Sequence, residues 1–182
     1  MNLSQTLLAA AAFAALAAPA AASPWQHYSD ATLGWSISYP QGWKADPNYV
    51  SPAHGIHGVS FTIADSVQPG TNLSHNNTAI SVENLPGKDC KPSQFVDPAD
   101  HVHKLRADGR TYLAADSEDA GAGNFYETRI FVIPGTSPCL AVRYLIHSTN
   151  IGAYDPGTIK AFNEKKLVRM FDAIRASLIL TK

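Results

Sequence analysis

The chain is poor in the residues that most often announce a function. Only two cysteines occur in 182 residues, so a thiolate metal cluster or a cysteine-dense scaffold is excluded. There is no Cys-x-x-Cys, and neither cysteine has a histidine or basic run beside it to lower its pKa, which argues against a reactive thiol. A Gly-x-Ser-x-Gly elbow, a His-Glu-x-x-His pair, a phosphate-binding glycine loop and an EF-hand loop are all missing. Nothing in the chain implies a cofactor. The formal net charge is −1, with no basic run and no aromatic platform set among basic residues. Such a chain lacks the means to hold nucleic acid through its phosphates, and an anionic membrane surface is no better a partner.

What is present begins with an apolar run. Leu7 to Ala18 is nearly all Ala and Leu, Pro19 breaks it, and Ala20-Ala21-Ala22 follows. This has the form of a secretory signal peptide, residues 1–22, cut after Ala22. Its first six residues carry no Lys or Arg, so the terminal amine alone supplies the positive end. The run is shorter than the roughly 20 residues a bilayer span needs, and no later segment approaches that length. The expected mature protein is residues 23–182, one exported domain without a membrane span and, from the Ala-rich leader, bacterial.

In an exported protein an even pair of cysteines reads as a disulfide, so Cys90 and Cys139 are expected to be bonded. The bond would close a loop of about 50 residues, for which chain entropy gives about 4 kcal/mol. Both cysteines sit beside turn residues, Cys90-Lys91-Pro92 and Pro138-Cys139.

The pattern of the mature chain is mostly that of strands. Residues 33–40 alternate large apolar with small, placing Trp35, Ile37 and Tyr39 on one face. Further extended segments are expected at about 43–45, 59–64, 78–83, 110–115, 124–133 and 140–147, the last three as an antiparallel meander. Residues 23–32 read as a tether. A helix is expected at 98–105, capped by Asp97 with Pro98 at its first position. A long amphipathic helix is expected near the C-terminus, with Ile159, Phe162, Leu167, Met170, Phe171, Ile174 and Leu178 as its stripe and Asp155 to Thr158 as turn and cap.

One phrase carries a resemblance. Leu33-Gly34-Trp35-Ser36-Ile37-Ser38-Tyr39-Pro40-Gln41-Gly42-Trp43 is similar to the opening hairpin of Mog1/PsbP-like domains, which begin with a Gly-aromatic strand, then Tyr-Pro, a small turn and Trp. The resemblance implies an α+β fold: an antiparallel sheet of about six strands sandwiched between a mid-chain helix and the C-terminal helix. It also implies exported bacterial relatives of PsbP-like or DcrB-like kind, mostly binding or assembly factors, with no shared catalytic residues to carry over. The expected function is therefore non-catalytic binding in the envelope, of a protein partner or of a small ligand between sheet and C-terminal helix.

Four residues are candidates for a recognition surface. Arg143 and His147 share a face of the last strand, and Glu127 and Arg129 are expected on a matching face of its neighbour; a plain cross-strand ion pair is the competing account. The rival function is metal binding by loop histidines, with His54 and His57 the weak candidates and His75 in the next loop; imidazoles of this kind suit Zn, Cu or Ni. His101 and His103 chelate together only if extended. A second rival is a small hydrolase. The Asp116 to Asp119 run reads as a solvated hairpin tip rather than a calcium loop. Asn72-Leu73-Ser74 and Asn76-Asn77-Thr78 are sequons in form, discounted for a bacterial chain.

Overall fold

A computed structural model describes residues 25–51 and 54–181; the expected signal peptide lies outside the described residues. Among the described residues the alternation read in the sequence becomes ten strands: β1 (Trp25–Asp30), β2 (Trp35–Pro40), β3 (Lys44–Val50), β4 (His57–Thr62), β5 (Ala79–Leu85), β6 (Asp100–Ala107), β7 (Arg110–Gly121), β8 (Asn124–Ile133), β9 (Cys139–Thr149) and β10 (Ile179–Leu180), with one α-helix, α1 (Glu164–Ala176), before the last. Seven strands form an antiparallel sheet in the order β3-β4-β5-β9-β8-β7-β6, and β1-β2-β10 form a small second sheet. The main sheet thus has seven strands rather than six. The expected tether is β1, held along β2 from Trp25 opposite Pro40 to Asp30 opposite Trp35.

Pairing register decides which side chains meet the core. Ile80, Tyr144 and Arg129 form one cross-strand row, and Val59, Val82, Val142 and Phe131 form the next. On this face the small sheet and α1 pack, joining Trp35, Ile37 and Tyr39 to Phe61, Ile80, Val142, Tyr144, Leu167, Phe171 and Ile174 in one buried cluster. Its rings meet edge to face or tilted: Tyr39 on Phe61 at 4.6 Å, Phe131 on Tyr144 at 4.7 Å, Tyr144 on Phe171 at 5.1 Å. The Arg175 guanidinium lies 4.4 Å over the Phe131 ring and is bonded to Asp108 at 2.9 Å, so its charge is buried with partners on both sides.

The opposite face is covered without a helix. Residues 86–99 cross it, turning once at Pro92–Gln94, and place Phe95 and Val96 over Ile130, Val132 and Ala141. Cys90 and Cys139 are bonded, as expected, and fasten this cover to the start of β9. The α/β/α sandwich is accordingly not formed among the described residues: one layer is helix and small sheet, the other an irregular strap.

The helix expected at 98–105 is strand β6. Two constraints outweigh its weak helical spacing. Asp108-Gly109, both at positive φ, make the two-residue turn that fits a twisted hairpin, and this locks Ala107 opposite Arg110. Leu105 can then face the core beside Tyr112. The C-terminal helix starts at Glu164, not near Ile159, because Lys160 pairs with the loop at Gly70 to Asn72 and keeps its backbone out of the helix. Asn163 is its cap, accepting from the Lys166 N–H at 2.9 Å. No helix among the described residues is long and apolar enough to cross a membrane.

Since the disulfide spans 49 residues of sequence, its loss should cost about 4 kcal/mol. Urea unfolding with and without reductant should show that difference, and amide exchange should rise first in residues 86–99. Equal stability of the oxidised and reduced protein would contradict this placement of the strap.

Candidate ligand cleft

The four sequence candidates divide between the two faces. Antiparallel register sets Arg143 opposite Ile130 and His147 opposite Tyr126, whereas Glu127 lies opposite Ile146 and Arg129 opposite Tyr144. Odd positions on β9 therefore match even positions on β8, and the two charged pairs point away from each other. The matching face expected from sequence is not what the register produces.

Arg143 belongs to the strap side. Its Nε donates to Glu83 Oε1 at 2.7 Å and its Nη2 to Glu83 Oε2 at 3.0 Å, while Nη2 also donates to the Phe95 carbonyl. Ser81 Oγ donates to the same Glu83 oxygen at 2.9 Å. Gly58 stands opposite Glu83, and a Cβ there would collide with the Val82 carbonyl and Glu83. Burial works against the Arg143 charge, but Glu83 outweighs it and raises the pKa above the usual guanidinium value. This is a sealed structural network, with Glu83 wholly buried.

His147 lies further along the same face, stacked on Tyr126 at 4.4 Å. Asn77 Nδ2 donates to its Nδ1 at 3.3 Å and its Nε2 donates to Asn124 Oδ1 at 2.9 Å. That pattern requires the neutral ring with the proton on Nε2. Burial lowers its pKa.

Of the four candidates, Glu127 lines an opening, and Arg129 is its ion-pair partner. At the end of the sheet away from the disulfide, two cross-strand rows, Glu118-Glu127-Ile146 and Ala120-Phe125-Ser148, floor a cleft of about 550 Å³. Phe162 and Glu164, on the segment entering α1, form its wall. Asn72 positions that wall: its Oδ1 accepts from the Phe162 N–H at 2.9 Å and its Nδ2 donates to the Thr149 carbonyl at 2.7 Å. The Asn72 sequon thus has its amide nitrogen engaged in the fold. Arg129 Nε donates to Glu127 Oε1 and its Nη2 to Glu164 Oε1, both at 2.7 Å, linking β8 to the first residue of the helix.

Sequence reasoning missed Glu118, Phe125, Phe162 and Glu164. The signal for the first two was available: once β7 and β8 are paired through Ala122-Gly123, Glu118 falls opposite Glu127 and Ala120 opposite Phe125. The cleft lining holds Glu118, Asp119, Glu127 and Glu164 and no Lys, Arg or His. Burial raises the Glu127 pKa, its hydrogen bond and charge contact with Arg129 lower it, and Glu164 and Glu118 raise it again; the net direction is up. Chemically this is an open hollow whose floor sets the Glu118 and Glu127 carboxylates beside Ile146 and Phe125; Arg129 engages Glu127 and Glu164 but not Glu118, and the mixture suits an amphipathic group with a positive end.

The loop histidines are not gathered into a set of three ligands among the described residues. His54 and His57 are exposed, His75 Nε2 donates to the Val67 carbonyl at 2.6 Å, and His101 and His103 lie on the exposed edge strand β6. Among the described residues, no group of three His, Cys, Asp or Glu is placed to hold a metal ion.

No protein-family model and no curated protein matches the chain. Among solved structures, a protein from Bacteroides thetaiotaomicron VPI-5482 superposes with a TM-score of 0.52 at 10% identity, over 86% of this chain and 48% of its own, so the chain spans about half that protein's length. Cyanobacterial PsbP (CyanoP) from Synechocystis sp. PCC 6803 gives 0.47 at 14% identity, over 90% of this chain and 96% of its own. LpqN of Mycobacterium tuberculosis, a protein involved in cell envelope biogenesis, gives 0.43 at 12% identity, over 87% and 92%. The structures this chain is similar to include a PsbP protein, as its opening hairpin suggested. At these identities the likeness is one of fold alone.

The buried His147 supplies a test by pH. Its folded pKa lies below its unfolded value, so the unfolded chain binds more protons just below pH 6.5 and stability falls as pH drops through that region. Glu127 has the opposite sign at lower pH, because its folded pKa is raised. Urea unfolding from pH 7.5 to 5.5 should show the parent losing stability and His147→Gln losing distinctly less. Identical slopes would contradict the buried neutral imidazole.

Proposed function

We propose that this chain is an exported, non-catalytic binding protein of the bacterial envelope, whose binding site is the cleft at the β7–β9 end of the sheet. One observation carries the site. Glu118 and Glu127 stand directly opposite each other on neighbouring strands, an arrangement that destabilises a sheet by some tenths of a kcal/mol up to about 1 kcal/mol. Local rules are broken in this way where a site needs them broken. The leader at residues 1–22 and the Cys90–Cys139 bond support export. The occupant of the cleft is a partner segment or a small ligand with a positive group and an apolar flank.

Hydrolysis is the rival with an observation behind it, since Glu127 and Glu118 are paired carboxylates and Glu127 has a raised pKa. Against it, Glu127 is engaged through Oε1 as the ion-pair partner of Arg129, which favours its carboxylate form. Binding is thus the better use of these groups.

A photo-cross-linking residue at Phe125, compared with the same residue at Lys88 near the disulfide, tests this in protein expressed with its leader in a bacterial periplasm. A discrete adduct confined to position 125, together with no turnover in a broad screen of ester, peptide and glycoside substrates, is the expected outcome. Indistinguishable patterns at both positions, or turnover lost in Glu127→Gln, would refute it.

A further inference from the structure

Resting on the binding function proposed above, we propose that the occupant of the cleft is an extended, basic segment of a partner protein that adds as a strand to the free edge of β7. Strand β6 pairs with β7 only as far as Asp100 opposite Asp116. Beyond that point Ser117 to Gly121 have β8 on one side and, among the described residues, no strand on the other. Five residues make an open edge about 17 Å long.

Counting back from the two-residue turn at Ala122-Gly123, the backbone groups of Glu118 and Ala120 point away from β8, toward that edge. The Ala120 N–H is held at 2.8 Å by the Asp119 carboxylate, an exposed contact. An incoming carbonyl replaces that contact and releases Asp119 for a cation. Side chains alternate along a strand, so Glu118 and Asp119 project from opposite faces of an edge that borders the cleft. A strand laid against it meets acid on both sides and, toward the cleft, the apolar surface of Phe125.

The remaining edges of the main sheet are guarded. Strand β6 carries Lys104 and Arg106, with a bulge between Asp100 and His103, and β3 carries Lys44 and Pro47, with a register shift between Asp46 and Tyr49. Charged side chains, Lys above all, Pro and bulges are the devices that prevent edge pairing. From Ser117 to Gly121 there is no Lys, Pro or bulge, and the two charges, Glu118 and Asp119, repel an acidic strand but attract a basic one. A second copy of this chain is disfavoured as the occupant, because pairing two such edges sets carboxylates against carboxylates.

The test uses protein purified from the periplasm and three synthetic peptides: Lys-Val-Lys-Phe-Lys-Val-Lys, its Glu-for-Lys analogue, and the basic peptide with alternate backbone nitrogens methylated. Binding is read by fluorescence anisotropy at low salt, and edge pairing by amide exchange at Glu118. The basic peptide should bind and slow exchange at Glu118, the Glu analogue should not bind, and methylation should weaken binding at least about tenfold. Ala120→Pro, which blocks the edge without touching the ladder to β8, should abolish binding while the thermal midpoint stays near the parent's. Glu118→Gln should weaken binding about five- to tenfold. Equal affinity for the methylated peptide, or full binding by Ala120→Pro, would show a site for a small cation rather than a strand and would overturn the inference. No binding of any peptide would overturn it as well. Either result leaves the adduct at position 125 as the separate test of the binding function.

Discussion

The Glu83–Arg143 pair is the constraint on which the rest of this architecture depends. It joins the two central strands, β5 and β9, and through the Phe95 carbonyl it also fixes the strap that covers the helix-free face. Two charges so deeply buried contribute little net stability, because desolvation offsets most of their attraction. Their effect is positional. A buried guanidinium with three acceptor contacts tolerates only one register of β5 on β9 and one placement of residues 86–99. The disulfide fastens the same strap at its other end.

The consequences run along the sheet. At the disulfide end both faces are closed, by α1 and the small sheet on one side and by the strap on the other. At the opposite end the long β7–β8 hairpin outruns its cover. There the acidic pair of Glu118 and Glu127, the ring of Phe125 and the wall set by Asn72 are left facing solvent. The open edge of β7 follows from a length mismatch, since β7 has twelve residues and β6 has eight. Function is argued from this site, because a likeness at 10% identity, as to the Bacteroides thetaiotaomicron protein, speaks to fold alone.

Much of the fold was legible in local pattern. Trp35, Ile37 and Tyr39 do share a buried face, β8 runs from Asn124 to Ile133 as its apolar run suggests, and the cysteines pair. The failures have physical causes. The Asp108-Gly109 turn signal outranks the weak helical spacing of Val102 and Leu105, and the helix start moves to Glu164 because a loop ninety residues away captures the preceding backbone. The site was half legible. Glu127 and Arg129 are visible as charges on a strand, but their face depends on the parity of a register that no local pattern reports. Arg143 looked like a recognition residue for the same reason: only the fold reveals that Glu83, sixty residues earlier, is its partner.

The central claim is a division of labour between buried and exposed charge on one sheet, and paired urea unfolding of two single variants measures it directly. Arg143→Gln strands a buried Glu83 carboxylate and should lose about 3–5 kcal/mol. Glu118→Gln relieves a like-charge contact and should be as stable as the parent or more stable by a few tenths of a kcal/mol. An Arg143 variant as stable as the parent, or a Glu118 variant that loses comparable stability, would contradict the account.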